Sequence, residues 1–292
     1  MLTVPMAKTL SIVGAGRLGR VLGKLLRHRG WRISAVVTRS PSTARAAVRA
    51  IGDGTPFDKL TRRVLAADVV LISTPDAAIT SVASELASMG REEWRDKVVL
   101  HTSGALDHRE LTALERWGAA TGSLHPLQTF SPNVKPQLEG VLFAIEGHGA
   151  ALKAARRIAR DLGGVPVRLR AGSKPAYHAA GSLASGHVLA FVEAAVQILM
   201  GEGFTRRQAT GALLPLTRQT LDNYARLGPA AAWTGPVSRG DFGTVAKHLK
   251  ALKRHPREFE AAYAAVSRLS VAVLSRNANE MLRRLERILR KV

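Results

Sequence analysis

The stretch that decides the fold is residues 9–26, which read TLSIVGAGRLGRVLGKLL. A β-branched apolar run leads into Gly-x-Gly-x-x-Gly, and apolar residues at helical spacing follow the glycines. In such a strand-turn-helix the first glycine makes a tight turn, the second lets the backbone approach a pyrophosphate, and the third packs the helix on the strand. A tight turn in another kind of α/β protein is the alternative. The dinucleotide-binding residues predicted from this turn are Gly14, Ala15, Gly16, Arg17, Leu18 and Gly19.

The end of the second predicted strand, residues 31–37, indicates which dinucleotide would bind. NAD-selective sites place an Asp or Glu about 20 residues after the glycines, where it binds the ribose 2′-hydroxyl. This chain has no acidic residue there, and Arg39 stands between Thr38 and Ser40. A guanidinium flanked by two hydroxyls suits a 2′-phosphate. The sequence therefore favours NADP over NAD, with a solvated arginine as the alternative for Arg39.

Composition excludes several classes of site. The 292 residues include no cysteine, so disulfides, thiolate metal sites and cysteine nucleophiles are absent, and we predict no metal site. The formal net charge is +21, but the basic residues are spread along the whole chain without a block of five like charges. That distribution does not favour specific nucleic-acid binding, which would need the charge on one face. Attraction of an anionic cofactor and a small-molecule substrate is the milder interpretation.

Two observations bear on localisation. Residues 1–8 lack a charged region followed by an apolar core, so no export signal is predicted. The apolar stretch 183–200 contains His187, Glu193 and Gln197, which favours a buried helix over a membrane span. The sequence therefore predicts a cytoplasmic protein that does not enter a membrane.

The order of elements predicts two domains. Strands expected at 9–13, 31–37, 68–73, 97–101, 119–124, 141–145 and 165–169 alternate with helices, which is typical of a doubly wound, mostly parallel Rossmann sheet. From residue 171 onward only helices are expected, at 174–201, 205–227, 241–252, 256–275 and 277–291. We therefore predict an α/β NADP-binding domain at residues 1–171 and an all-α domain for substrate binding and dimerisation at residues 172–292.

Loops at the carboxyl ends of the strands are where such sheets bind ligands. Ser73, Thr74 and Pro75 suit the cofactor ribose, although the same residues also suit a helix cap. Thr102 and Ser103 follow the next strand, where we expect the first beside the nicotinamide and the second at the substrate. His125 ends a further strand and can transfer a proton or orient a carbonyl. A hydrogen-bonded loop histidine is the alternative.

The helical part offers further candidates. Lys174 and His178 are four residues apart and share a helix face, with Tyr177 on the adjacent face. We expect Lys174 and His178 to be catalytic candidates and Tyr177 to contact the substrate. A lysine here can protonate the oxygen or nitrogen of the bond whose carbon gains the hydride, and a solvated lysine at a helix end is the alternative. Arg239 lies in the glycine- and proline-containing loop 234–241, which suits an anion clamp for the substrate as well as an ordinary helix connection.

Six segments, at 12–19, 70–76, 101–106, 124–130, 174–185 and 234–241, together resemble a bacterial family. Its members are oxidoreductase-like proteins with an N-terminal Rossmann-like NADP domain and a C-terminal helical domain of unknown function. The family is related to pyrroline-5-carboxylate reductase, the deazaflavin-dependent NADP reductases and the β-hydroxyacid dehydrogenases. Its more specific marks here are His-Pro-Leu-Gln-Thr-Phe at 125–130 and Gly-Pro-Val-Ser-Arg-Gly-Asp at 235–241.

The resemblance implies a homodimer formed through the helical domain, with active sites between domains or across subunits. It gives Lys174 the role of proton donor. Related proteins often carry an asparagine after Ala-Ser where this chain has Gly186, so that substrate contact is lost or passes to His178 or His187. The predicted function is an NADP(H)-dependent oxidoreductase that transfers a hydride to or from a small carbonyl, hydroxy or imine compound. An NADP-binding sensor or scaffold without turnover is the alternative.

Overall fold

The computed structural model describes residues 8–132, 134 and 136–290, and within it the chain divides into two compact units. The first ends at Ala184 and the second begins at Ser185. Residues 1–7, on which the export-signal prediction mostly depends, lie outside the described part of the chain.

An eight-stranded sheet forms the first unit, in the order β3-β2-β1-β4-β5-β6-β7-β8. All neighbouring strands are parallel except β6 and β7, which are antiparallel. The strands are β1 (Thr9–Val13), β2 (Arg32–Val37), β3 (Thr55–Phe57), β4 (Val69–Ile72), β5 (Val98–His101), β6 (Ala120–Pro126), β7 (Leu142–Gly147) and β8 (Val165–Arg168). The helices of this unit are α1 (Arg17–His28), α2 (Pro41–Ile51), α3 (Ile79–Ser88), α4 (Thr112–Glu115), α5 (Gly149–Asp161) and α6 (Lys174–Ser182).

Each face of the sheet has its own apolar core. Leu22 of α1 and Ile158 of α5 belong to the core on one face, and Ile79 and Leu86 of α3 belong to the core on the other. Since helices cover both faces, the central strands are apolar along their whole length rather than alternating. The predicted doubly wound, mostly parallel α/β sheet is confirmed. The three-residue strand β3 was not predicted, because its Thr-Pro-Phe sequence is too short to show a period.

The second unit is helical. It contains α7 (Val188–Gly201), α8 (Arg206–Leu227), α9 (Pro229–Ala232), α10 (Phe242–Leu252), α11 (Arg257–Leu274) and α12 (Ala278–Leu289). Phe242, Val245 and Leu249 of α10 form its core with Val271 of α11 and Leu285 of α12. The predicted all-α C-terminal region is confirmed.

The division between the units falls later than the boundary that the sequence predicts at residues 171 and 172. Helix α6 belongs to the first unit, and a π-helical turn, Leu183–His187, follows it. The reason is chemical rather than compositional, because Lys174 at the start of α6 hydrogen-bonds to loops of the sheet.

The prediction that residues 183–200 form a buried helix is wrong for the chain by itself. Within α7 only Val196 is buried, and Leu189 and Phe191 are 69% and 46% exposed. Helix α7 packs against α8, in which Ala209 is the buried residue, and much of the apolar surface of both helices stays exposed. The helical stretch Lys174–Gly201 is long and apolar enough to cross a membrane, judged by length and composition.

Candidate functional site

The glycine turn between β1 and α1 has the conformation that its sequence predicts. Gly14 has a φ of +88°, and a Cβ added there would lie 2.7 Å from the backbone nitrogen of Thr74. A Cβ on Gly19 would lie 3.0 Å from the carbonyl oxygen of Gly14. At Gly16, by contrast, an added Cβ would meet no heavy atom of the described residues within 4 Å. The first and third glycines of the turn, Gly14 and Gly19, therefore lie against protein atoms, and the second, Gly16, is open to a ligand.

Helix α1 begins without a capping side chain. Its N-cap residue, Gly16, makes no side-chain hydrogen bond, so the first amides of the helix have no side-chain partner at the cap. Unsatisfied amides and the helix dipole together favour an anion at this position.

The residues after β2 form a cluster of hydroxyls beside an exposed arginine. Thr38 Oγ1 lies 2.7 Å from Thr43 Oγ1, which lies 2.9 Å from Ser40 Oγ. Ser40 also caps α2, and Arg39 is exposed. The cluster is next to the glycine turn, because the amide of Gly14 donates to the carbonyl of Val37 at the end of β2.

The loops after β4 and β5 continue the site along the carboxyl edge of the sheet. Thr74 contacts the glycine turn, and its Oγ1 is buried with no hydrogen-bond partner among the described residues. Ser73 Oγ accepts a long hydrogen bond of 3.4 Å from Thr102 Oγ1. Pro75 is exposed. An unpartnered hydroxyl beside an open glycine turn fits a site that a polar ligand completes.

Lys174 is the most unusual residue of the site, because its side chain is buried to 1% exposure. Its Nζ donates to the carbonyl oxygen of Ser103 at 2.6 Å and to Ser123 Oγ at 2.8 Å. An ammonium group carries three protons, so one N–H is left for another acceptor. The alternative of a solvated lysine at a helix end is excluded.

Burial lowers the pKa of Lys174 from 10.5 to about 8, and three carboxylates, the largest effect coming from Glu146, oppose that shift. Glu146 is buried on β7 directly opposite Ser123 in the sheet, and Asp76 and Asp107 are the other two. A pKa near 8 keeps most of the lysine cationic at neutral pH while making it a stronger acid than an exposed lysine.

A second buried group holds the loop that Lys174 binds. His101 Nδ1 accepts a hydrogen bond from the amide of Ser103, and His101 Nε2 lies 3.0 Å from the carbonyl oxygen of Asp107. Burial, together with the charge of Lys174, lowers the pKa of His101 to about 3, so the ring is neutral at pH 7. The hydroxyl of Ser103 donates to Asp76 Oδ2 at 2.8 Å. Both the backbone and the side chain of Ser103 are therefore fixed.

The third part of the site is an aromatic group around His125. His125 Nδ1 lies 2.9 Å from the hydroxyl of Tyr177, and the rings of His125 and His178 meet edge to face at 5.9 Å. A Cβ on Gly104 would lie 2.6 Å from His178 Cδ2 and 2.8 Å from His125 Nε2. Only a glycine at position 104 allows these rings to approach the loop.

The protonation states separate the roles of these groups. Burial lowers the pKa of His125 to about 4, with further lowering by Lys174 and His178, and burial raises the pKa of Tyr177 to about 12. At neutral pH the imidazole of His125 and the phenol of Tyr177 are therefore uncharged hydrogen-bonding groups. Of the three, Lys174 is the one that carries an acidic proton in this pH range.

The structure brings all but one of the predicted site residues to the carboxyl edge of one sheet. The glycine turn meets the β4 loop, that loop meets Thr102, and the β5 loop meets Lys174 and the His125 group. Arg239 belongs to the second unit, where it lies on the loop before α10.

The sequence analysis missed four residues that surround Lys174 or hold the loop it binds, namely His101, Ser123, Asp107 and Glu146. Ser123 had a usable signal, because it precedes His125 by two residues on one strand and so shares its face. The other three act through backbone carbonyls or across the antiparallel β6–β7 pair, which no local spacing indicates.

Two family models cover most of the sequence. A Rossmann-like domain matches residues 4–126, and a domain of unknown function, DUF2520, matches residues 141–270. The chain is a Rossmann-like protein with a DUF2520 domain. This is the pair of domains in the family that the sequence resembles, so that resemblance is confirmed.

Solved structures resemble this Rossmann-DUF2520 chain over nearly its whole length. A candidate NADP oxidoreductase from Bacteroides fragilis has 23% identity and a TM-score of 0.73, covering 90% of this chain and 98% of its own. A reductive aminase from Aspergillus terreus, in complex with NADPH and ethyl-5-oxohexanoate, has 17% identity and a TM-score of 0.63, covering 98% and 94%. An imine reductase from Pseudomonas sp. has 17% identity and a TM-score of 0.65, covering 96% and 99%.

At these identities the structural likeness establishes the shared fold. A comparison with curated protein sequences finds no match.

Proposed function

We propose that this Rossmann-DUF2520 protein is an NADP(H)-dependent oxidoreductase. It transfers a hydride to or from a small carbonyl, hydroxy or imine compound, with Lys174 supplying or accepting the accompanying proton. The observation that carries the proposal is the Lys174 ammonium, held by Ser103 and Ser123 at the sheet edge that also carries the open glycine turn. The reductive aminase described above, which has this fold and is bound to NADPH, supports the same class of reaction.

The cofactor site fits NADP on three observations. The open space at Gly16 admits a pyrophosphate to the uncapped start of α1. The exposed Arg39 and the hydroxyls of Thr38 and Ser40 offer donors to a 2′-phosphate, with no carboxylate in that loop to repel it. Thr74 has a buried hydroxyl that lacks a hydrogen-bond partner in the described part of the chain. These residues would hold the dinucleotide, which supplies the hydride chemistry when bound.

The groups of the chain itself then divide the remaining work. Lys174 holds a proton at Nζ for the oxygen or nitrogen of the reacting bond, and its third N–H is directed by the two fixed acceptors. The neutral His125–Tyr177 pair orients a polar group of the substrate, with His178 beside it. Ser103 positions Lys174 through its carbonyl oxygen, because its hydroxyl already donates to Asp76 and accepts from the amides of Ala105 and Leu106. A screen of carbonyl, imine and alcohol compounds for NADPH oxidation or NADP reduction tests the proposal directly.

Arg39→Ala is expected to weaken NADPH binding about 10- to 100-fold, because a charged arginine-phosphate contact contributes on the order of 1.5–3 kcal/mol. NADH lacks the 2′-phosphate, so its affinity should change little. Isothermal titration of both cofactors against wild type and variant measures the difference.

Arg49→Ala is the matched control, since Arg49 is an exposed arginine near the end of α2, whereas Arg39 precedes the start of that helix. Equal affinities of the wild type for NADPH and NADH would contradict the assignment of Arg39.

We also propose that the protein is a homodimer formed through α7 and α8 of the helical domain. Their exposed apolar side chains include Leu189, Phe191, Leu216, Leu221 and Leu227. A second copy presents the same surface and can bury it by symmetry. The predicted cytoplasmic localisation is consistent with helices that pair with a second copy of the chain and do not enter a membrane.

Light scattering at micromolar concentration is expected to give twice the mass of the 31.3 kDa chain. Leu189→Asp and Leu216→Asp should each weaken the dimer about tenfold or more, because each would bury an unpaired charge. Val134→Asp, at an equally exposed apolar position in the first unit, is the control. A wild-type protein with the mass of a monomer would contradict the dimer. So would a monomer that co-floats with lipid vesicles and loses this binding in the Leu189→Asp and Leu216→Asp variants.

One observation favours a second function, an NADP-binding sensor without turnover. The 1% exposure of Lys174 also suits a lysine that only ties α6 to the sheet. Tight NADPH binding without turnover of any compound in the screen would support this function over catalysis.

A further inference from the structure

A cavity of about 580 Å³ lies within the helical unit, and of the residues described so far Arg239 and Leu227 line it. The end of α8, the loop before α10 and the junction of α11 with α12 form its walls. Three arginines line it, Arg239, Arg276 and Arg284, together with one carboxylate, Glu280. No glutamate or aspartate of the described residues forms an ion pair with any of these arginines. The cavity therefore has an excess of positive charge.

Asp241, which follows the loop and lies near Arg239, does not neutralise it through a direct contact. Both oxygens of its carboxylate bind Thr244, one the backbone amide at 3.1 Å and the other the hydroxyl at 2.7 Å. These hydrogen bonds, with a smaller contribution from Arg239, lower the pKa of Asp241. The carboxylate is occupied as the N-cap of α10.

Arg284 is held in place by the residues around it. Arg284 Nη2 donates to the carbonyl oxygen of Gly240 at 3.4 Å, and its guanidinium lies 5.2 Å from the centre of the Phe242 ring. The loop is closed by the amide of Asp241 donating to Pro236 and by Gly240, with a φ of +68°, donating to Val237. A guanidinium held in this way loses less conformational entropy when it binds an anion.

Two further features define the ligand. The first turn of α12 opens on the cavity at Asn277, an N-cap residue that makes no side-chain cap bond, so the helix dipole adds to the positive potential. The lining also includes the apolar side chains of Trp233, Leu274 and Met281. A flat apolar body beside a cluster of guanidinium groups matches an organic molecule that carries an oxyanion.

We propose that this cavity binds a small organic oxyanion, a carboxylate or a phosphate monoester with an apolar or aromatic body. Two or more arginines bind the oxyanion, and Trp233 packs against the body. The sequence analysis names Arg239 alone as an anion clamp, and the fold adds Arg276 from the junction of α11 with α12 and Arg284 from α12. The proposal does not depend on hydride transfer.

Benzoate, phenyl phosphate and the uncharged benzyl alcohol are the probes, because they share one ring and differ in the charged group. Calorimetry on the full-length protein should show binding of at least one anion and none of the alcohol. Arg239→Ala, Arg276→Ala and Arg284→Ala should each weaken that binding about fivefold or more. Arg283→Ala is the matched control, since Arg283 is exposed on α12 next to Arg284 and does not line the cavity.

Trp233 provides an independent signal. Binding should change its fluorescence, and Trp233→Phe should remove that change while calorimetry still detects the ligand. If Arg284→Ala lowers the melting temperature through the loss of its contact with Gly240, Arg276→Gln and Arg239→Gln decide the result. Stronger binding of benzoate would identify carboxylates as ligands, and stronger binding of phenyl phosphate would identify phosphate esters.

Absence of binding by both anions would overturn the proposal. So would binding that all three arginine variants retain, or that Arg283→Ala weakens equally, because either result would indicate general attraction to a basic protein. NADPH titration of the same variants is a separate measurement. The affinity of these variants for NADPH should equal that of the wild type. Failure of the anion-site proposal and failure of the oxidoreductase proposal are therefore distinguishable.

Discussion

Lys174→Met is expected to lower turnover by a factor of about 100 to 10,000 while leaving NADPH affinity nearly unchanged. Methionine keeps the unbranched apolar stem and removes the proton. The lysine is assigned to the reacting bond and not to the dinucleotide, so cofactor titration should not detect its loss. Steady-state and single-turnover rates with a substrate from the screen, beside NADPH titration, make the comparison.

The same assignment fixes the pH dependence. The reductive direction needs protonated Lys174, whose pKa burial lowers to about 8. The value of kcat/KM should therefore be level below pH 8 and fall about tenfold per pH unit above it. In the direction that removes a proton, the profile should be reversed. Lys174→Met should abolish this titration together with most of the rate.

His125→Ala and His178→Ala separate the lysine from its neighbours. Both rings lie beside the loop at Gly104, but neither is bonded to Lys174. We expect either variant to raise KM more than it lowers kcat, because in this proposal the two rings orient the substrate and Lys174 supplies the proton. Near-normal turnover in Lys174→Met beside an inactive histidine variant would move the proton route to that histidine.

The sequence predicts the sheet and its glycine turn well because each is encoded locally. Buried parallel strands are short apolar runs, and the turn needs glycine at fixed positions. The reversal of β7 is different, because Leu142–Gly147 has the same apolar pattern in either direction. Its direction follows from the connection between the strands, which carries no periodic signal.

The candidate site is predictable only where its residues follow strand ends. Lys174 is visible at a helix start, but its burial depends on Ser103 and Ser123, which are 71 and 51 residues away. Helix α7 shows the opposite error, because its sequence predicts burial and its side chains are mostly exposed or half-buried. Its sequence is as apolar as a core helix, and one copy of the chain leaves it exposed, since pattern alone does not say what covers an apolar face.

Gly14→Ala and Gly16→Ala are expected to separate stability from cofactor binding within one turn. An alanine at Gly14 would have a φ of +88° and a Cβ 2.7 Å from the backbone of Thr74, so we expect a loss of about 3 kcal/mol or more in the free energy of unfolding. Gly16 has a φ of −71°, which alanine adopts, and an open space around its Cβ. Gly16→Ala should therefore change stability by less than about 0.5 kcal/mol but weaken NADPH binding about 100-fold, because the methyl group occupies the approach to the pyrophosphate.

Gly30→Ala completes the comparison, because Gly30 also has a positive φ, +82°, but no heavy atom of the described residues within 4 Å of its added Cβ. Its cost, about 1 kcal/mol, measures the backbone strain alone. The excess cost of Gly14→Ala over Gly30→Ala then measures the close approach of the β4 loop. Denaturant unfolding gives both values, and calorimetry gives the affinities. If Gly14→Ala is no less stable than Gly30→Ala, the loop yields to the added methyl group. If Gly16→Ala binds NADPH as the wild type does, the pyrophosphate does not bind at this turn.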